Sequence, residues 1–148
     1  MDFDAVAAGL NDAIPFNRHV GLVVEEVGPG RGVVTLPDGE DLHNHVGSQH
    51  AGALFSAGEA ASGGAFLGAF AEHLGGLTPL AKSASIDYRK IARGPIKAVG
   101  TLDIDVGELL GKIDADGRVE FPVGVEMTDA DGNVVATMTV HWHVRRDA

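Results

Sequence analysis

The residue with the clearest chemical potential in this sequence is Glu59. It lies within a run of small and apolar residues, directly beside Ala57, Gly58 and Ala60. Glutamate is almost never fully buried unless it is paired, and burial without a partner raises its pKa. Such a carboxylate is a candidate general base or nucleophile. An ion pair with an arginine at a subunit interface fits the same pattern, so the helix composition alone leaves both interpretations open.

A second set of candidates stands just before this run. His50, Ala51 and Gly52 occupy the predicted start of the helix, where backbone N–H groups lack intrahelical partners. Together with the helix dipole, these groups suit a developing oxyanion. Asn44 and its polar neighbours could hydrogen-bond a carbonyl or a water. These are the parts needed to hydrolyse an acyl group, and the absence of a Gly-x-Ser-x-Gly elbow disfavours an α/β-hydrolase.

Basic side chains cluster in one stretch of an otherwise acidic chain. The formal net charge is −10, which argues against a nucleic-acid partner because a polyanion would be repelled. Five of the 11 basic residues nevertheless lie close together in sequence: Lys82, Arg89, Lys90, Arg93 and Lys97. This strip is compatible with a small anionic ligand, and also with a solvated strand face.

The elements that must position these residues follow from periodicity and turn signals. Helices are predicted over 2–14, where Pro15 ends the first one, and over 51–74, which is apolar all round and should therefore be buried. Strands are predicted over 20–27, 33–36, 81–91, 96–106, 118–128 and 134–145, with turns at 28–32, 114–117 and 129–133. Residues 28–32 are expected to form a longer hairpin loop. Successive hairpins without intervening helices predict one α+β domain over 1–148, an antiparallel sheet with one long helix packed on it.

Composition limits the cellular setting. The chain has no cysteine, which excludes a disulfide framework and any thiolate chemistry. Its first ten residues carry no basic side chain, unlike a secretory or mitochondrial leader. The long apolar run is interrupted by Glu59 and Glu72 and is poor in leucine and isoleucine, so no membrane span is expected. A cytoplasmic protein is the default expectation.

Residues 44–59 resemble a motif of the hotdog-fold thioesterases of the phenylacetyl-CoA and 4-hydroxybenzoyl-CoA type. The family pattern is an Asn or Gln, a short loop, His-Gly-Gly, and then an acidic residue in the central helix. Here Asn44 lies six residues before His50, and Glu59 nine after it. Residues 88–97 are also similar to the strand–turn–strand that follows the helix in that family, and the element order agrees over nearly the whole chain. One departure is Ala51, which stands where the family has its first glycine.

The resemblance implies a fold, an activity and residue roles. The fold would be a hotdog, an antiparallel sheet wrapped around one long central helix, and the activity acyl-CoA thioester hydrolysis without a cofactor. Glu59 would act as nucleophile or general base, Asn44 would position the carbonyl or water, and His50 would hold the loop and polarise the substrate. The Ala51 N–H, next to Gly52, would be the oxyanion donor. The site would lie between subunits of a homodimer or homotetramer, with the basic strip holding the CoA phosphates.

Other functions are compatible with these residues. A non-catalytic acyl-CoA-binding hotdog protein is the chief alternative, because the Cβ of Ala51 narrows the approach of the carbonyl. A dehydratase or hydratase on the same fold would use an Asp–His pair, and no histidine lies within a helix turn of Glu59. The pairs His43/His45 and His141/His143 have strand spacing for metal ligands. No carboxylate nearby completes a triad, so we expect no metal site.

Overall fold

A computed structural model describes all 148 residues. The strands are Val23–Gly28 (β1), Arg31–Leu36 (β2), Leu77–Tyr88 (β3), Ile96–Thr101 (β4), Arg118–Thr128 (β5) and Val134–Arg146 (β6). The helices are Phe3–Ala13 (α1), Pro15–Val20 (α2), Ala51–Phe70 (α3) and Val106–Asp116 (α4), with short 3-10 turns at Glu40–Leu42 and Ala71–His73. All strand pairs are antiparallel, in the order β1-β2-β4-β5-β6-β3. The predicted α+β hotdog architecture is confirmed.

Helix α3 lies against the sheet at very short range because glycines face each other across the contact. It packs mainly on β1, β2, β4 and β5. A Cβ on Gly32 of β2 would lie 2.6 Å from the backbone nitrogen of Ala65, and one on Gly68 would overlap the carbonyl oxygen of Gly28. The glycines of α3 weaken its intrinsic helix propensity. At Gly64 and Gly68, however, the strand backbone occupies the space that a side chain would need.

Strand β3 is the exposed edge of the sheet. It pairs only with β6, and six consecutive residues, Leu80 to Ser85, are exposed to solvent. Leu80 is 55% exposed although it is a large apolar side chain. A long edge strand of this kind presents unpaired backbone groups that another strand could pair with.

The N-terminal third differs from the sequence-based expectation in three details. The strand predicted from residue 20 begins only at Val23, because Val20 is the last residue of α2. Pro15 ends α1 as predicted, but it also begins α2 as that helix's first residue, a position where its missing N–H is no loss. The β1–β2 connection is a two-residue turn, since Gly28 pairs with Arg31, so the prediction of a longer loop was wrong. Proline followed by Gly30 at φ +71° is the pattern of a type II turn.

Helix α4 was not predicted. Residues 96–106 were expected to form one strand, but β4 ends at Thr101 and α4 begins at Val106. The Asp105 carboxylate caps the helix by accepting from the Gly107 N–H at 3.0 Å, and Gly117 ends it in a left-handed conformation. The segment 114–117 is therefore a helix end, not a hairpin turn.

None of the helices, α3 included, combines the length and the apolar character that a membrane span requires.

Candidate active site

Glu59 lies in the middle of α3, on the one stripe of that helix that is not covered by the sheet. Ala57, Gly58, Ala60 and Ala61 around it are buried, while Glu59 itself is half-buried. Its carboxylate has no hydrogen-bond or ion-pair partner within the chain, and burial raises the pKa of Glu59 above its ordinary value of 4.5. No arginine of the same chain pairs with Glu59.

A small, mainly apolar cavity of about 220 Å³ opens beside Glu59. Leu10 of α1, Asn17 of α2 and Ile14 between the two helices cover it from one side, and Trp142 of β6 lies in its wall. Sequence reasoning did not place either Asn17 or Trp142 at the site. Asn17 is only 7% exposed, which is unusual for asparagine. No local motif connects residues 17, 59 and 142, because tertiary packing alone brings them together.

The start of α3 has one free backbone donor. The Nδ1 atom of His50 accepts from the Gly52 N–H at 2.8 Å, so His50 caps the helix and the Gly52 N–H is occupied. The Ala51 N–H donates to no group in the chain, and Ala51 is exposed. Of the two predicted donors, only Ala51 is therefore available to an oxyanion in this structure.

Asn44 is engaged in the shape of its own loop. Its Oδ1 accepts from the N–H groups of Val46 at 3.0 Å and Ser48 at 3.1 Å. Its Nδ2 donates to the Ser48 hydroxyl at 2.9 Å and to the Gln49 carbonyl at 3.4 Å. Every hydrogen-bonding position of this amide has a partner. The structure therefore shows Asn44 holding the loop of residues 43–50, hereafter the 43–50 loop.

Within one chain, Glu59 and the start of α3 do not meet. Eight residues separate Ala51 from Glu59, which corresponds to about 12 Å along the helix axis at about 1.5 Å per residue. They also line different depressions: His50 and Gly52 face one, Ala51 and Asn44 a second, and Glu59 a third. The predicted catalytic set is therefore not assembled around one carbonyl in a single chain.

The five basic residues of the strip occupy several places. Arg89 and Lys90 line the surface groove that also contains Asn44 and Ala51. Arg93 lies at the same end, where it donates to the Gly47 carbonyl at 3.5 Å.

The other two lie elsewhere. Lys82 contacts Glu120 at 2.8 Å in a different cleft. There, hydrogen bonds from Lys82 and His143 lower the pKa of Glu120. Lys97 is exposed on β4, opposite Thr35 and Thr128.

The histidine pairs do not gather ligands. His43 bonds Asp38 at 2.7 Å and His143 bonds Glu120 at 3.1 Å, and no group of three or more histidine or carboxylate side chains converges on a point.

Comparison with known proteins gives the context for this geometry. The sequence matches the family described as a domain of unknown function (DUF4442) over residues 4–144. None of the curated proteins matches it.

Among solved structures, the chain is similar to PA5026 of Pseudomonas aeruginosa, a protein of unknown function described as a probable thioesterase. The two are 28% identical, the match covers 97% of this chain and 95% of that one, and the TM-score is 0.86.

Two more distant structures share the fold. The Escherichia coli PaaI protein from the phenylacetic acid degradation operon is 18% identical, with 96% and 91% of the two chains covered and a TM-score of 0.73. A variant of the Staphylococcus aureus thioesterase SAV0944 is 16% identical, with 89% and 99% covered and a TM-score of 0.71. The resemblance to PaaI-like proteins is confirmed: the chain belongs to the DUF4442 family and has the hotdog fold of the thioesterase superfamily.

Proposed function

We propose that this protein hydrolyses an acyl-CoA thioester at Glu59. The observation that supports this most directly is the half-buried carboxylate, without a partner and with a raised pKa, beside an apolar cavity. A base whose pKa is shifted towards neutrality is a more effective proton acceptor. As a general base, Glu59 takes a proton from water while the water oxygen bonds to the carbonyl carbon; the C–S bond then breaks, and the proton passes to the departing thiolate. As a nucleophile, Glu59 bonds to the carbonyl carbon and forms a mixed anhydride as the C–S bond breaks, and a water then hydrolyses the anhydride and restores the carboxylate. Both routes give the free acid and CoA with its thiol protonated.

The proposed site needs two copies of the chain. A twofold axis that pairs β3 with a second β3 edge would run the two α3 helices antiparallel. The start of one helix would then lie beside the middle of the other, so that the free Ala51 N–H of one chain faces Glu59 of its partner. The exposed β3 edge and the partly exposed Phe55 on the outer stripe of α3 support this homodimer. Two such dimers could associate further into a tetramer.

Each remaining residue has a role in this arrangement. The Ala51 N–H stabilises the oxyanion of the tetrahedral intermediate. His50, through its bond to Gly52, fixes the direction in which the Ala51 N–H points, and Asn44 shapes the loop that precedes it. Arg89, Lys90 and Arg93, grouped at one end of the groove, bind the CoA phosphates. Lys82 and Lys97 lie outside this group, so we assign them no phosphate contact within one chain.

The first experiment measures thiol release from a panel of acyl-CoA thioesters by the wild type and Glu59→Gln. Glutamine keeps the size and removes the base, so we expect kcat to fall by about 100-fold or more. Glu72→Gln is the matched control, because Glu72 lies just beyond the same helix and is exposed. Equal release by wild type and Glu59→Gln would show that Glu59 is not the catalytic group.

The second experiment removes the oxyanion donor without disturbing the helix. Ala51 is the first residue of α3, where proline is tolerated. The preceding residue His50 has φ −64° and ψ 142°, a conformation compatible with a following proline. Ala51→Pro should therefore fold and lose about 100-fold or more in kcat. Ala51→Ser retains the N–H and serves as the control.

Mixing the two inactive variants tests whether the site is shared. If Glu59 of one chain works with Ala51 of the other, dimers of Glu59→Gln with Ala51→Pro contain one intact site and regain activity. If both residues act within one chain, every site in the mixture lacks one group and no activity returns.

A non-catalytic acyl-CoA-binding protein is the second candidate, and the exposed Cβ of Ala51 at the donor position favours it. Absence of thiol release from every thioester, with acyl-CoA still bound, would support that function instead.

A further inference from the structure

The cavity beside Glu59 has a fixed end wall. The indole N–H of Trp142 donates to the Ser62 hydroxyl at 3.1 Å, and that hydroxyl donates to the backbone carbonyl of Glu59 at 2.7 Å. The ring of Trp142 stacks on Phe66 with centroids 5.5 Å apart and planes at 18°. Because Trp142 is only 8% exposed and is held on two sides, it cannot swing aside to lengthen the cavity.

Gly63 controls the space between Glu59 and this wall. It is one helical turn beyond Glu59, lies on the same half-buried stripe, and lines the same cavity. A Cβ built on Gly63 would lie 3.7 Å from Cζ2 and 3.9 Å from Cη2 of Trp142, with no closer contact. These are ordinary van der Waals distances. The space that a methyl group would fill is therefore free for part of a ligand.

We propose that this cavity receives the acyl group of the substrate, that Gly63 and Trp142 limit its size, and that the substrates are thioesters of compact apolar acids. This inference rests on the proposed function. A purely apolar cavity of about 150 Å³ is large enough for benzene, so about 220 Å³ accommodates up to about nine carbon atoms on the same scale. A long fatty-acyl chain does not fit between Glu59 and Trp142. Both ring-shaped and short aliphatic groups satisfy this limit.

The test is Gly63→Ala, assayed with acetyl-, butyryl-, hexanoyl-, benzoyl-, octanoyl- and dodecanoyl-CoA. The added methyl occupies ligand space, and alanine favours the helix over glycine, so misfolding does not confuse the result. We expect the ratio of kcat/KM for hexanoyl-CoA to that for acetyl-CoA to fall by at least about tenfold, because one methylene in a hydrophobic pocket changes kcat/KM by about 10- to 200-fold. The kcat/KM for benzoyl-CoA compared with that for hexanoyl-CoA shows whether the cavity prefers ring-shaped or aliphatic acyl groups.

Gly111→Ala is the matched control. Gly111 is also a helical glycine, in α4, and a Cβ there would meet nothing within 4 Å. This substitution has the same effect on helix propensity and leaves the cavity untouched, so the ratio should equal that of the wild type. The inference would be overturned if this ratio of kcat/KM values also fell tenfold in Gly111→Ala, or if it did not change in Gly63→Ala.

Trp142 supplies a second measurement that does not depend on hydrolysis. It is the only tryptophan of the chain, so selective excitation reports on the cavity wall directly. Titration with non-hydrolysable S-alkyl-CoA thioethers should change its emission for butyl and hexyl groups in the wild type, with hexyl binding weakened about tenfold in Gly63→Ala.

The two measurements separate the inference from the function on which it rests. If no thioester is hydrolysed but compact thioethers shift the Trp142 emission, the hydrolase proposal fails and the cavity assignment stands as a binding site. If CoA is released, with dodecanoyl-CoA as good a substrate as hexanoyl-CoA and the Trp142 emission unaffected, the hydrolase proposal stands and the cavity assignment is overturned.

Discussion

Asn44 in the 43–50 loop and Glu59 in the middle of α3 are both polar residues, but their side chains differ in whether they are hydrogen-bonded. In the loop, all four hydrogen-bonding positions of Asn44 are paired with neighbouring groups. In the helix, the Glu59 carboxylate has no partner and its pKa is raised by burial. A polar group whose bonds are all satisfied contributes to shape, whereas an unpaired one retains its reactivity. The comparison assigns a structural role to Asn44 and a chemical one to Glu59.

The largest expected effect on stability comes from Asn44→Ala. It removes four hydrogen bonds, each contributing about 0.5–1.5 kcal/mol, and the site is partly exposed, so we expect a loss of about 2 kcal/mol in the free energy of unfolding. Urea denaturation measures this, and Asn44→Asp is the control because it keeps both acceptor bonds. An Asn44→Ala protein as stable as the wild type but without thiol release would instead make Asn44 a catalytic residue.

Glu59→Gln should increase the free energy of unfolding, and the size of the increase should depend on pH. The folded-state pKa of Glu59 is raised, so below 4.5 the group is neutral in both states and makes no difference. As the pH rises from 4.5 through the raised pKa, the wild type alone must bury a charge and loses stability relative to the variant.

The stability difference in favour of Glu59→Gln should therefore grow across that window and level off above it. Urea denaturation at a series of pH values measures the difference, and the wild-type kcat should rise over the same window as the carboxylate forms. A difference that does not vary with pH would contradict the raised pKa.

His50→Ala should have a smaller effect. Loss of the helix cap on Gly52 costs about 0.5–1 kcal/mol, measured as a lower unfolding midpoint. His50→Asn retains an acceptor for the Gly52 N–H and should recover most of that loss. If the asparagine variant is as unstable as the alanine variant, the imidazole stabilises the loop by some contact other than the cap.

The smallest change is expected for Lys82→Ala. The Lys82–Glu120 pair is solvent-exposed, with 57% and 47% of the two side chains accessible, and exposed pairs contribute little. The unfolding midpoint and KM for CoA thioesters should both match the wild type.

Lys90→Ala, in the groove beside the 43–50 loop, should raise KM several-fold and leave kcat unchanged. Equal KM effects from both variants would place the phosphates across the whole basic strip.

Sequence patterns predicted most of the sheet and the long helix because their signals are local. The alternation over residues 118–128 gave β5 with its bounds correct, and the apolar run beginning at residue 51 gave α3 to within one turn of its end. Helix α4 escaped prediction because only Leu109 and Ile113 are buried and two glycines weaken its pattern. The alternating pattern of β4 was extended to residue 106, so the predicted strand covered the start of α4.

Within the site, Glu59 was identifiable from its surroundings in the sequence, since a lone acid in an apolar helix is visible locally. The cavity was not, because Asn17 and Trp142 are distant along the chain and reach Glu59 only through packing. That Asn44 and His50 are occupied by hydrogen bonds was equally hidden, since spacing shows which residues are present but not whether their donors and acceptors are free.

The glycine contact between α3 and the sheet divides that helix into a side fixed by packing and an adaptable side. Where Gly68 of α3 and Gly32 of β2 meet the backbone of the opposite layer, any larger residue would force the layers apart, so this side cannot diversify. On the opposite stripe, a Cβ on Gly63 would meet only the side chain of Trp142, at van der Waals distance, so this position accepts a new side chain beside Glu59. Substrate preference in such a chain can therefore diverge by single substitutions along one helical stripe while the scaffold that aims Glu59 stays the same.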